Sequence, residues 1–184
     1  EELATFGEFV ADFVLTAAGQ LSLQTPVYAT LVGLLNARDE EFGAKVVKGG
    51  AVRLDAMIRQ GRWVNAKLVL RFLAELVNAR VVKAEGEGSL GELLTTLLGP
   101  LKEVLGRLEG HGAHGPPSRK DLYLYLVVSV LPWVWDALAT EWPDGLPALL
   151  ETAFAYGDRR VPLYKKQGVR CVLEAGLDEE EEEK

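Results

Sequence analysis

The stretch RKDLYLYLVVSVLPWVWDAL, residues Arg119–Leu138, decides the fold class of this chain. Two basic residues and Asp121 open it, and Ser129 is the one strongly polar residue in the next fourteen or so. A helix that is apolar on every side must be covered by protein or by lipid. Fourteen residues are fewer than the roughly twenty that a bilayer crossing needs. We therefore predict a central helix of a soluble protein, packed between neighbouring helices.

Pro132, Trp133 and Trp135 lie near the end of this stretch. Because proline lacks an N–H and clashes with the preceding turn, we predict that Pro132 begins a new helical segment. The two tryptophans point to different sides of a helix, which argues against an aromatic ligand cage. We predict that at least one of them anchors the core and that Trp133 is mostly buried.

Helical periodicity dominates the rest of the chain, with no sustained strand alternation. The pattern predicts six further segments, which are Leu3–Ala17, Thr25–Asn36, Phe42–Gln60, Trp63–Val82, Leu90–Leu108 and Leu146–Tyr156. Thr25 is predicted to cap the second of them, and Gly99-Pro100 to kink the fifth. Short connections between helices of this length predict an all-α, HEAT-like α-solenoid of stacked antiparallel helix pairs. We expect this helical-repeat domain to span residues 1–175, as a fragment of a longer multi-domain protein.

Charge and cysteine content exclude several classes of protein. The formal net charge is −7, of which the acidic segment Asp178–Lys184 contributes −5, so that the remainder carries only −2. No global field therefore attracts nucleic acid to the body of the chain. We expect residues 176–184 to form an acidic, disordered tail. The single cysteine, Cys171, excludes an internal disulfide and fits an intracellular compartment.

Residues that could carry catalysis or bind a cofactor are few. His111 and His114 are the only histidines, in a glycine-rich loop, and a metal site normally needs three or four ligands. No glycine-rich phosphate-binding loop of the P-loop type occurs. We therefore expect no catalytic residue, no metal site and no cofactor.

Three basic pairs remain as a candidate partner or RNA surface, because cations near aromatic rings can bind phosphate and stack bases. They are Arg119 with Lys120, Arg159 with Arg160, and Lys165 with Lys166. Solvated helix ends are the favoured alternative, since the body carries little net charge.

Three blocks, taken with their order and spacing, resemble a known family. They are TPVYATLVGLLNAR (Thr25–Arg38) followed by Phe42-Gly43, AKLVLRFLAELVNARVV (Ala66–Val82) and the Arg119–Leu138 stretch. Together they are similar to the first helical-repeat domain in the large subunit of the nuclear cap-binding complex, a domain of the initiation factor 4-gamma middle type. The similarity is clear over about residues 20–140. Within these blocks we expect structural roles for Tyr28, Asn36, Arg71, Phe72, Pro132 and Trp133.

The resemblance implies a non-enzymatic scaffold in the nucleus, with possible shuttling to the cytoplasm. In that family a small subunit with an RNA-recognition motif binds the capped 5′ end, and the large subunit contacts this small subunit mainly through its other domains. The large subunit recruits splicing, export and decay factors. No membrane partner is implied. Two alternatives stay open. The chain could be another middle-type scaffold in translation or mRNA decay, or a helical part of an enzyme whose active site lies elsewhere.

Overall fold

A computed structural model describes residues 2–107 and 119–159 of the chain. The described residues form seven α-helices and one short 3₁₀ turn, Ser22–Gln24, with no strand among them. The helices are α1 (Glu2–Ala18), α2 (Thr25–Asn36), α3 (Glu40–Arg59), α4 (Trp63–Asn78), α5 (Leu90–Arg107), α6 (Arg119–Glu141) and α7 (Gly145–Arg159). The all-α prediction is thereby confirmed.

Local sequence signals explain where several helices begin. Asp39 precedes α3, and its carboxylate accepts hydrogen bonds from the backbone N–H groups of Glu41 and Phe42. α5 begins with an arrangement close to a capping box, in which the Ser89 hydroxyl accepts from the Glu92 N–H, while the Glu92 carboxylate accepts from the N–H of Gly88, one residue before the cap. These bonds satisfy backbone donors that the first helical turn leaves without partners.

The helices are arranged in two rows. α2, α4 and α6 pack side by side in one row, while α1 packs on α3 and α5 packs on α7 in the other. Large apolar side chains that are fully buried fill the space between the rows, and they are Phe42, Leu54, Leu70, Phe72, Leu76, Leu94, Leu98, Leu101, Leu126 and Leu138. Lys67 of α4 contacts Tyr125 of α6, and Arg71, further along α4, contacts Trp133, further along α6. The two helices therefore run parallel. This arrangement fits stacked helix pairs, with α5 and α6 forming one pair across the rows.

Two details of the predicted helices are wrong. Thr25 is the first residue of α2 and already has helical backbone angles, φ −50° and ψ −46°, so it is not the cap residue; Gln24 precedes the helix without a side-chain capping bond. α4 ends at Asn78 rather than Val82, because Arg80 adopts a positive φ of 58° and reverses the chain. α5 continues as one helix through Pro100.

The predictions for α6 also need correction. The helix continues through Pro132 instead of restarting there. Pro132 and Val128 are both exposed, so water can reach the Val128 carbonyl that proline leaves without its usual helical donor. Trp133 and Trp135 are 46% and 45% exposed, so neither is mostly buried. The helix is therefore covered on one side and not on every side.

α6 is long and apolar enough, by length and composition, to cross a membrane. Our prediction that it is too short is wrong, since the helix extends over 23 residues. A core helix can meet the same two criteria. Because α6 buries Leu126, Val130, Val134 and Leu138 and packs against α4, α5 and α7, we interpret it as a core helix.

Several predictions concern residues outside the described ranges. These residues are Arg160, Lys165, Lys166, His111, His114, Cys171 and the acidic segment 176–184. Their predicted roles stay predictions.

Candidate interaction surface

The surface between α4 and α6 combines cations with aromatic rings, and we call it the α4–α6 seam. On α4, the residues Trp63, Lys67 and Arg71 follow one another at intervals of four, which places them along one face of the helix. Each pairs with a residue of α6 in the same order. The seam consists of Trp63, Lys67, Arg71 and Asn78 from α4, and of Arg119, Tyr123, Tyr125 and Trp133 from α6.

Arg71 and Trp133 form the closest cation–ring contact of the seam. The guanidinium carbon of Arg71 lies 3.6 Å from the centre of the Trp133 ring, a stacked cation–π geometry. The Arg71 Nε atom is buried and has no hydrogen-bond partner, so the ring face is the main compensation for burying that part of the cation. Asn78 strengthens the junction, because its side-chain amide donates to the Trp133 carbonyl at 2.9 Å and to Glu75 at 3.0 Å.

The middle of the seam is formed by Lys67 and Tyr125. The Lys67 amine donates a hydrogen bond of 2.9 Å to the Tyr125 hydroxyl and lies 5.2 Å from the ring centre. Tyr125 is exposed and Lys67 is half-buried, so both groups can be reached from solvent. An anionic or aromatic group could contact this position without a rearrangement of the backbone.

The start of α6 is joined to the end of α3 and to the start of α4. Arg119 donates to the Ile58 carbonyl at 2.7 Å, and its guanidinium carbon lies 5.7 Å from the Trp63 ring centre. Trp63 meets Tyr123 edge to face, with ring centres 5.6 Å apart and an angle of 85°. This geometry is the favoured one for aromatic pairs and fixes the register of α4 against α6.

Only part of the predicted basic surface lies within the described residues. Arg119 holds α3 to α6 through its bond to Ile58, so its guanidinium has a structural contact. Lys120 follows it and is half-buried. Arg159 is the last residue of α7, at the far end of the molecule's final described helix. The structure thus leaves the role of these residues as a partner or RNA surface a prediction.

Three further residues with predicted structural roles occupy packed positions. Phe72 is fully buried in the core. Tyr28 packs against the core and donates to the Gln24 side chain at 2.9 Å. The Asn36 side chain fills the space where a larger residue at Gly43 would place its Cβ atom, which brings the ends of α2 and α3 close together.

Sequence reasoning missed the participation of Trp63, Lys67 and Tyr125. Their signal was present on α4, where an aromatic and two basic residues recur every four positions. The matching residues on α6 are spaced by six and eight positions, so that half of the pattern has no single period. Only the parallel packing of α4 and α6 aligns the two sets.

The opposite flank of α6 has a different character. Between α6 and α7 lies an open apolar groove of about 430 Å³, the α6–α7 groove. Trp135, Val128 and Phe154 are exposed along it, and Asp158 is its one charged lining residue. Below it, Tyr156 donates to the Asp121 carboxylate at 2.9 Å and ties α7 to the start of α6.

Within residues 2–107 and 119–159, no group of three or more His, Cys, Asp or Glu residues could hold a metal ion. Shifted ionisation occurs instead in surface pairs within α3. A hydrogen bond to Glu41 raises the pKa of the Lys45 amine, and one to Asp55 raises the pKa of the Arg59 guanidinium. These pairs lie outside the seam, and solvent screens them.

No protein-family model matches the chain. The chain is 30% identical over 155 residues to nuclear cap-binding protein subunit 1 of Arabidopsis thaliana, a match that covers 84% of this chain and 18% of the relative. It is 33% identical over 124 residues to nuclear cap-binding protein subunit 1 of Anopheles gambiae, covering 67% and 14% respectively. The resemblance found in the sequence is confirmed. The chain spans less than a fifth of the length of these curated relatives.

Proposed function

We propose that this chain is a helical scaffold domain of a nuclear cap-binding protein subunit 1, acting without catalysis in the nucleus. The observation that carries the proposal is its similarity to that subunit from a plant and an insect, at 30% and 33% identity over most of its length. Stacked helices support the same reading, because such folds present extended, rigid surfaces for binding.

The proposed mechanism is equilibrium binding. The α4–α6 seam fixes two neighbouring helices through stacked and hydrogen-bonded side chains, so a partner meets a surface that is already ordered. Preorganisation lowers the entropic cost of association. Exposed aromatic residues beside cations, such as Tyr125 with Lys67, have the composition that interface hot spots favour. We propose the seam as the docking surface for RNA-processing or export factors.

The proposed whole protein assembles with a small subunit that carries an RNA-recognition motif, and that subunit binds the 5′ cap. This domain contributes no cap-contacting residue to the assembly. Its role is to extend the scaffold and to hold docking surfaces in a fixed geometry. Recruitment of processing, export and decay factors would then depend on the large subunit.

Co-expression of the full-length protein with the small subunit tests this proposal. We expect the two proteins to co-purify and to retain capped RNA on a resin, with uncapped RNA of the same sequence as the control. A variant that lacks residues 2–159 should still retain capped RNA, since the cap pocket is proposed to lie in the small subunit. Failure of the full-length protein to co-purify with the small subunit would contradict the assignment.

A further inference from the structure

The helices of the two rows pack in a repeating pattern, and among the described residues the pattern lacks one helix beside α6 and α7. α4 packs against α3 and against α2, and α6 packs in the same way against α5 and α4. The second helix of each pair thus contacts its own first helix and the second helix of the preceding pair. α7 continues the other row by packing on α5, so it is the first member of a further pair. The second member would lie against both α6 and α7, which is the position of the α6–α7 groove.

The groove has the chemistry of a helix-packing surface rather than of a polar ligand site. Its volume is about 430 Å³, and apolar side chains of both helices form most of its walls. Trp135 and Phe154 face it from opposite sides, and Phe154 is 66% exposed. An exposed apolar surface of this kind is typical of an interaction site.

We propose that residues 161–173 of this same chain, VPLYKKQGVRCVL, occupy the α6–α7 groove and complete the fourth pair. α7 ends at Arg159, and Gly157 and Asp158 of its last turn line the groove, so the chain leaves α7 at the edge of the site. From Leu124 to Trp135 the groove runs along eleven residues of α6, roughly 17 Å at 1.5 Å per residue. Thirteen residues reach about 20 Å as helix and about 43 Å when extended, so the segment spans the groove in either form.

The composition of the segment matches the site. Val161, Leu163, Tyr164, Val172 and Leu173 provide apolar groups for the walls. The segment also carries Lys165, Lys166 and Arg170 and no acid, whereas the charged residue that lines the groove is Asp158. The run of acids begins only at Asp178, beyond the proposed occupant, so the proposal places none of these acids against the groove.

Cys171 makes the proposal directly testable, since it is the one cysteine of the chain and lies within the segment. A second cysteine is introduced in the groove, by Val128→Cys or Phe154→Cys, and on α3 by Val52→Cys as an exposed control. A disulfide needs Cα atoms about 4.4–6.8 Å apart. Under mild oxidation we expect an intrachain disulfide with at least one groove cysteine, forming at least tenfold faster than with the control. Equal rates would overturn the proposal, and so would disulfides formed only between two chains, which would make a second copy the occupant.

Protection of the groove supplies a second readout that does not depend on disulfide geometry. In a Cys171→Ser background, the rate of maleimide modification at Phe154→Cys is compared between the full chain and a chain ending at Arg159. We expect modification to be at least fivefold slower in the full chain, with no difference at Val52→Cys. Equal rates at Phe154→Cys in the two chains would show that the groove is open in both and would overturn the proposal.

Discussion

The two flanks of α6 each carry a half-exposed tryptophan, but the two rings are covered in different ways. Trp133 faces α4 and Trp135 faces α7, and the two side chains are 46% and 45% exposed. Despite this similarity, the Trp133 ring is stacked on Arg71 and its carbonyl accepts a bond from Asn78, whereas Trp135 lines an open groove. The exposed fraction alone therefore does not show how much each tryptophan contributes to stability. That contribution depends on which residue covers the ring.

The contrast has a physical basis in what lies on the neighbouring helix. α4 offers long basic side chains whose stems pack on apolar surface while their charged ends lie on ring faces. α7 offers Phe154, Ala153 and Gly157, which leave space beside Trp135. The seam is thus complete within the described residues, and the groove is not. Substitutions on the two flanks should separate these cases.

The largest expected effect is that of Arg71→Glu, which breaks the closed flank. The change places a carboxylate on the negative face of the Trp133 ring, on the helix that also carries the buried Glu75. We expect a loss of about 3 kcal/mol in the free energy of unfolding, as for the disruption of a buried charged contact. Urea denaturation measures it.

Arg62→Glu serves as the matched control, since Arg62 is exposed just before α4. We expect this exposed substitution to change the free energy of unfolding by no more than about 0.5 kcal/mol. Equal denaturation midpoints for the two variants would show that Arg71 is not held in the seam.

A second prediction compares the two tryptophans directly, in a chain ending at Arg159. Trp133→Ala removes the ring under Arg71 and should lower the free energy of unfolding by about 2 kcal/mol. Trp135→Ala should lower it by less than about 1 kcal/mol. In the full chain the cost of Trp135→Ala should rise, because residues 161–173 are proposed to cover it. Thermal unfolding of these three variants beside the two unsubstituted chains tests this. Identical costs for Trp133→Ala and Trp135→Ala in the shorter chain would remove the distinction between the flanks.

The smallest effect concerns the end of α4, below the seam. α3 and α4 end in the same motif, in which the N–H of Arg62 bonds to Met57 and that of Val81 bonds to Leu76. Gly61 holds the left-handed position after α3 with φ 72°, but Arg80 holds it after α4 with φ 58°. Since left-handed backbone costs a non-glycine residue about 1–2 kcal/mol, Arg80→Gly should stabilise the protein by about 0.5–1 kcal/mol.

Chemical denaturation of Arg80→Gly beside Arg80→Ala checks this prediction. The alanine variant keeps the strain and serves as the control for loss of the arginine side chain. Stabilisation by both variants to the same extent would place the effect in the side chain and not in the backbone.

Most of the fold could be predicted from the sequence, because helical periodicity and capping residues are local signals. The predicted segment Thr25–Asn36 has the same bounds as α2, and α4 begins at Trp63 as predicted. The errors occur where tertiary packing decides. Pro132 stays within α6 because it lies on the exposed side, and Trp133 stays half-exposed because a cation on another helix covers it. The seam could not be predicted, since the spacing on α6 acquires meaning only beside α4.

The central claim, that this chain is a scaffold domain and not the cap-binding element itself, is tested most directly by titration. Fluorescence anisotropy would follow capped and uncapped oligonucleotides of one sequence as the 184-residue chain is added. We predict no cap-dependent difference, and at most weak binding that fades as salt rises, with a slope of about −0.7 per phosphate contact on single strands. Sub-micromolar binding that requires the cap would contradict the account.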